Sequence, residues 1–197
     1  MSTARSAAHL DPRAPLVLDT RELGRRAGSM RHAQRTVAAP AGWGLGLIEV
    51  PQGAEVELDL RLEAVVDGVL VSGTVTAPVT AECGRCLAPV TDELEVDVQE
   101  LFAYEPADSA DDDIALMNGD FIDIEPLVRD ALMLGLPLNP VCSEDCAGLC
   151  AGCGEPLASL PAGHEHDELD PRWAALNVFA RAEHDQLNTD QTPKMGS

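Results

Sequence analysis

From Leu47 to Val98 apolar and polar residues alternate, and this period of two constrains the fold more than anything else in the chain. Val56, Leu58, Leu60 and Leu62 are interleaved with Glu55, Glu57, Asp59, Arg61 and Glu63, which describes a strand with one buried and one wet face. Asp67-Gly68 is a hairpin signal leading into a second strand, Val69–Thr76. Pro78 opens a third, Val79–Glu82, and Leu94, Val96 and Val98 alternate in a fourth. Over Ile122–Gly135 the spacing becomes helical, through Ile124, Leu127, Val128, Ala131, Leu132 and Leu134. Asp123 suits the N-cap, Pro126 is tolerated in the first turn, and Pro137 and Pro140 end the helix. The fold class expected is α+β: an antiparallel β-meander packed with a C-terminal helix, plus a small Cys-rich zinc-binding lobe.

The flanking segments carry weaker signals. Pro15–Asp19 reads as a short strand, and Thr20 caps a helical turn over Arg21–Arg26 that Gly28 ends. Met30–Ala39 contributes Arg31, His32 and Arg35, and a glycine-rich stretch, Gly42 to Gly46, follows Pro40. Glu105–Asp113 is an acidic loop, and Pro171 opens a short helix over Asp170–Phe179. The domain layout expected is a disordered start over 1–14, one domain over 15–180 containing a Cys-rich metal lobe at 140–168, and a disordered tail over 181–197.

Aromatic residues make up only 3% of the 197 residues against 45% apolar, so the core must be aliphatic. The most apolar segment, Leu127–Leu138, is broken by Arg129 and Asp130, too short and too charged for a membrane span. Arg5, Asp11 and Arg13 interrupt the N-terminus before any signal-like apolar block. A cytoplasmic location is expected, and six cysteines in a reducing compartment point to metal or thiol chemistry before disulfides. The net charge is −21 and uneven: residues 1–36 hold seven arginines against three acids, and the remainder six basic against 31 acidic residues. A positive leader on a negative body suits RNA with the first and a basic protein with the second.

Cys142, Cys146, Cys150 and Cys153 fall within twelve residues, laced with Gly148, Gly152 and Gly154. Cys150-Ala-Gly-Cys153-Gly has the form of a zinc knuckle, in which two intervening residues let both sulfurs face one ion. Cys142 and Cys146 are the second ligand pair expected; His164 and His166, alternate residues on an extended segment, are the competing pair. Four close ligands leave no open coordination position, so the zinc is expected to be structural. The spacing Cys146-x3-Cys150-x2-Cys153 also matches iron–sulfur radical enzymes, but about 45 residues follow it, far too few for their barrel. Cys83-Gly84-Arg85-Cys86 stands apart at the end of a strand, without the βαβ setting of a redox motif. It reads as a structural turn presenting Arg85 for contact, with redox catalysis or ligation alongside Cys150 and Cys153 as the alternatives. No phosphate loop or nucleophile–base pair is visible, and no catalytic residue, cofactor-binding residue or small-molecule substrate is expected.

Several of these segments together resemble the YceD family: Leu16-Val17-Leu18-Asp19 with its Arg-rich turn, Asp67-Gly68-Val69-Leu70-Val71-Ser72-Gly73, and Glu82-Cys83-Gly84-Arg85-Cys86-Leu87. Further along come Asp123-Ile124-Glu125-Pro126-Leu127-Val128-Arg129-Asp130, Leu136-Pro137, the run from Cys146 to Gly154, and Asp170-Pro171-Arg172. The resemblance implies a non-enzymatic factor in large ribosomal subunit biogenesis, needed for accumulation of 23S ribosomal RNA. With the charge split, this gives a ribosomal protein or pre-50S particle as the expected partner of the acidic sheet surface, with ribosomal RNA approached by the Arg-rich segment Arg21–Arg35 and by Arg85. Where cluster-bearing relatives show Cys-x-Cys, this chain has His164-Glu165-His166, a swap of ligand type. A zinc-stabilised interaction module without a ribosomal role is the runner-up expectation, and a thiol-redox protein the third.

Overall fold

In the computed structural model, which describes residues 10–105 and 114–166, the alternating segments pair as antiparallel strands. They are β1 (Val17–Asp19), β2 (Met30–Ala38), β3 (Gly44–Leu45), β4 (Ile48–Glu49), β5 (Glu55–Ala64), β6 (Gly68–Glu82), β7 (Pro89–Ala103) and β8 (Phe121–Asp123), followed by helix α1 (Glu125–Gly135). β5, β6 and β7 form the expected meander, β2 adds to the free side of β5, and β4 with β3 continues the sheet beyond the end of β5. β1 and β8 make a separate two-stranded ribbon. Contacts divide the chain into two units, Met1–Cys146 and Ala147–Ser197. The sheet, ribbon and helix all belong to the first.

β6 is one strand of fifteen residues, where the sequence predicts two divided at Pro78. A proline survives in a central strand when its missing N–H faces no acceptor. The Glu82 N–H donates to the Leu47 carbonyl on the β4 side, and strand alternation aims residue 78 the same way. That edge of β6 pairs with β5 up to Thr76 and with β4 only from Thr80. Pro78 sits in the gap, so no ladder bond is lost.

The segment Met30–Ala38, to which no element is assigned from sequence, is a nine-residue strand in register with β5 from Glu55 to Glu63. Its inward positions include Arg31, Ala33 and Arg35, which hides the alternation. Both arginines work inside the fold. β1 uses its even-numbered backbone groups to pair with β8, which leaves the carbonyls of Pro15, Val17 and Asp19 along its other edge. Arg35 donates to Pro15 (3.2 Å) and Val17 (2.9 Å), and Arg31 to Asp19 (3.2 Å). Guanidinium groups thus take the place of a further strand.

Two N-terminal expectations change. The helical turn expected over Arg21–Arg26 is a run of turns, and the Thr20 hydroxyl donates to the Asp120 carbonyl instead of capping it. Helix α1 starts at Glu125 rather than Ile122, because Phe121–Asp123 is spent on β8. Ile124 occupies the N-cap, while the Asp123 carboxylate still accepts the Glu125 N–H at 3.0 Å. The helix expected over Asp170–Phe179, the tail from 181 and most of the 105–113 loop lie outside the described residues, as do residues 1–9.

Next to this turn, the Asp19 carboxyl is held at about 2 by the hydrogen-bonding Arg21 guanidinium and the Arg21 N–H. Removing the guanidinium with Arg21→Ala should raise the Asp19 midpoint toward the usual carboxylate range, read by NMR titration between pH 5 and 2. A depressed carboxyl stabilises the fold above its unfolded value and loses that contribution as pH falls through 2. The variant should therefore lack most of this contribution and show a flatter fall in stability than the parent between about pH 4 and 2.

The core is aliphatic, as composition requires. Val56, Leu58, Leu60 and Leu62 of β5 and Val69, Val71 and Val75 of β6 are buried with Leu18, Ile122, Ile124, Val128, Leu132 and Trp43. α1 packs on β7, where Gly135 admits the Val96 side chain at 2.6 Å from the position a Cβ would take. The opposite sheet face is open. It presents Glu57, Asp59 and Glu63 from β5, Ser72, Thr74 and Thr76 from β6, and Glu93, Glu95 and Asp97 from β7. Among the described residues no helix is long and apolar enough to cross a membrane.

Candidate metal centres

The β6–β7 connection is the turn Cys83–Ala88. The Cys83 N–H donates to the Ala88 carbonyl and the Leu87 N–H to the Cys83 carbonyl, both at 2.8 Å. Leu87 has a φ of 60° and is the one non-glycine residue with positive φ among the described residues. This closure turns both sulfurs of the C-x-x-C inward. The chain leaving α1 returns to the same turn: the Pro140 carbonyl accepts the Gly84 N–H at 2.8 Å, and Arg85 donates to the carbonyls of Glu144 (3.0 Å) and Cys146 (3.1 Å). A side chain at residue 84 would have to displace the Asn139 side-chain oxygen.

This return brings Cys142 and Cys146 to Cys83 and Cys86. The Cys83 and Cys146 sulfurs lie 3.8 Å apart, those of Cys86 and Cys142 3.6 Å apart, and all four fall within 4.8 Å of one another. A zinc ion with four bonds of about 2.3 Å places its sulfurs about 3.8 Å apart, so the donor set fits a tetrahedral ion. Cys83 is fully buried. That burial raises its thiol, yet the backbone N–H groups of Cys142, Cys86 and Arg85 more than offset it and bring the thiol down to about 6. The adjoining Cys146 and Cys86 sulfurs push Cys142 up to about 12. Four sulfurs this close ionise together only around a cation.

Cys150, Cys153, His164 and His166 form a second group, again within 4.8 Å. The Cys153 sulfur is 3.5 Å from His164 Nε2, close to the edge expected for one sulfur and one imidazole on zinc. The two Nε2 atoms are 2.8 Å apart, so an ion between them spreads the imidazoles by about half an ångström from this pose. Gly152 lets the His166 ring lie against the backbone, since a Cβ there would overlap its Cδ2 and Cγ. Backbone N–H groups of Cys153 and Gly152 bring Cys150 down to about 6.

The set Cys142, Cys146, Cys150 and Cys153 expected from the run is therefore divided between two groups, one in each unit. Cys150 and Cys153 keep company with His164 and His166, the competing pair. Cys142 and Cys146 close on Cys83 and Cys86, a combination the sequence did not suggest. The available signal was a second C-x2-C of the same form 67 residues before the first. Arg85 faces the Cys142–Cys146 segment through its hydrogen bonds rather than standing clear of the turn.

A family model described as large ribosomal RNA subunit accumulation protein YceD matches residues 71–180. The uncharacterized protein Mb2951c of Mycobacterium bovis is 47% identical over 184 residues, 90% of this chain and 87% of its own. The uncharacterized protein ML1660 of Mycobacterium leprae is 43% identical over 167 residues, 83% and 76% of the two chains. The uncharacterized protein YlbN of Bacillus subtilis is 29% identical over 125 residues, 62% and 70%. No solved structure matches. A family match over more than half the chain, in agreement with relatives that align along most of it, establishes the lineage: this chain belongs to the YceD family.

Proposed function

We propose that this chain is a non-enzymatic factor in large ribosomal subunit biogenesis. It supports 23S ribosomal RNA accumulation by holding a basic ribosomal protein, or the pre-50S particle carrying it, on the open face of its sheet. Family membership supplies the ribosomal connection, and the observation that carries the mode of action is the charge of that face. Register aligns Asp59, Thr74 and Asp97 in one row and Glu57, Thr76 and Glu95 in the next, so hydroxyls in the centre are flanked by carboxylates. An open groove of about 540 Å³ lies along Gln34, Thr36, Glu57, Asp59, Thr74 and Thr76. Such a surface attracts cationic chains and repels phosphate backbones.

The arginines favour the same partner. Arg31 and Arg35 serve β1 carbonyls, Arg21 is bonded to Asp19, and Arg25 lies over the Tyr104 ring at 4.8 Å. RNA contact through the Arg-rich segment, including the exposed Arg26, would be an addition to this scheme rather than its basis. The metal, zinc by its thiolate and imidazole donors, is structural here because each group supplies four protein ligands. Placement of Cys83 and Cys86 in a four-sulfur group favours ligation over disulfide exchange.

The full chain, tagged, should sediment with large-subunit precursors and capture basic ribosomal proteins at low salt. A variant combining Glu57→Gln, Asp59→Asn, Glu95→Gln and Asp97→Asn should capture them on the order of tenfold more weakly, and parental capture should fall with added salt. Undiminished capture by that variant, with loss in Arg21→Ala and Arg26→Ala, would replace the protein partner with RNA. Unchanged 23S levels on depletion would remove the ribosomal reading altogether.

A further inference from the structure

The turns at Cys83–Ala88 and Cys150–Glu155 are the same structure made twice. In each, the first cysteine's N–H donates to the carbonyl five residues on, and its carbonyl accepts the N–H four residues on, all at 2.8 Å. In each, that fourth residue has positive φ, 60° at Leu87 and 75° at Gly154. The surroundings differ completely. The first turn ends a fifteen-residue hairpin ladder, and its Cys83 is buried. Among the described residues of the second unit, 147–166, no side chain is buried at all.

We propose that the chain binds two zinc ions with different roles: a clamp at Cys83, Cys86, Cys142 and Cys146 that fastens the segment after α1 to the β6–β7 turn, and a folding core at Cys150, Cys153, His164 and His166. Chain separation sets the first role. The sulfur pairs of the clamp are 63 and 56 residues apart in sequence, and an ion joining such distant segments removes a large loop entropy from the unfolded chain. Packing sets the second. Twenty residues whose apolar side chains are at most half-buried gain little from the hydrophobic effect, so their turns, the Leu149–Pro156 bridge and the short 3-10 turn at Leu157–Ser159 need another source of order. Ligation provides it, since a site absent from the unfolded segment couples binding to folding. The inference rests on the zinc reading but is independent of any ribosomal partner.

The test uses the full chain, with zinc measured by elemental analysis and the sites probed by cobalt substitution. The parent should hold two equivalents. His164→Ala or Cys153→Ser should lose one, expose the bond after Glu165 to a glutamate-specific protease, and leave the main unfolding transition in place. Cys142→Ser, at an exposed thiol, should lose the other equivalent, lower the main transition and leave the bond after Glu165 protected. Sulfur-to-cobalt charge transfer should be about twice as strong at the centre left by His164→Ala as at the one left by Cys142→Ser, four thiolates against two. A metal-free parent would remove the zinc reading itself. One ion per chain, or both ions lost in either variant, would overturn the two-role arrangement, as would equal effects of His164→Ala and Cys142→Ser on the main transition.

Discussion

Replacing Trp43 with alanine should lower the melting temperature of the first unit by about 10 °C. Among the described residues Trp43 is the largest fully buried side chain, 2% exposed, and belongs to the cluster containing Ile48, Val50, Val56 and Leu58. Its carbonyl accepts the Val50 N–H at 2.8 Å, so the backbone is pinned and the site cannot collapse by moving the chain. Truncation of a buried tryptophan costs about 3–5 kcal/mol in transfer and cavity terms, and each kcal/mol is about 2–4 °C for a chain of this length. Calorimetry is the suitable measurement, because the substitution removes one of only two tryptophans. A shift below about 2 °C would mean that Trp43 is a surface platform and not core.

What the sequence made legible follows from what sat at the inward positions. β5 alternates aliphatic and charged residues without exception, and its buried set, Val56, Leu58, Leu60 and Leu62, is the one expected. α1 showed its helical face equally well, although its first turn was overrun because Ile122 of β8 and the N-cap Ile124 share that apolar character. β2 was hidden because its inward residues include two arginines that bond carbonyls, and pattern reading scores arginine as outward. The same fact turned a supposed basic leader into part of the folded body. The metal ligands were recognised as residue types but not as sets. Proximity in sequence grouped Cys142 with Cys150, whereas the return of the chain after α1 groups Cys142 with Cys86. Spacing records which cysteines share a turn; only topology records which turns meet.

Gly73→Val should be more damaging still, by about 4 kcal/mol or more. Gly73 sits in the middle of β6, paired with Leu60 on one side and Val98 on the other, where a β-branched residue is normally favoured. Its φ of 153° aims the Cβ position at the partner strand instead of away from the sheet. A side chain there would overlap the Asp59 carbonyl and stand 2.9 Å from the Leu60 Cα. Relief requires β5 and β6 to separate at the centre of the meander, beside the buried Leu58 and Leu60, so ladder bonds and core contacts fail together. Intrinsic propensity and local geometry thus predict opposite signs for one substitution. Thr74→Val is the control: one residue on, with its side chain on the open face, it should change stability by less than about 0.5 kcal/mol. Urea unfolding of both variants separates the outcomes, since a well-folded Gly73→Val chain would show that strand propensity prevails and that β5 and β6 accommodate a side chain at their closest approach.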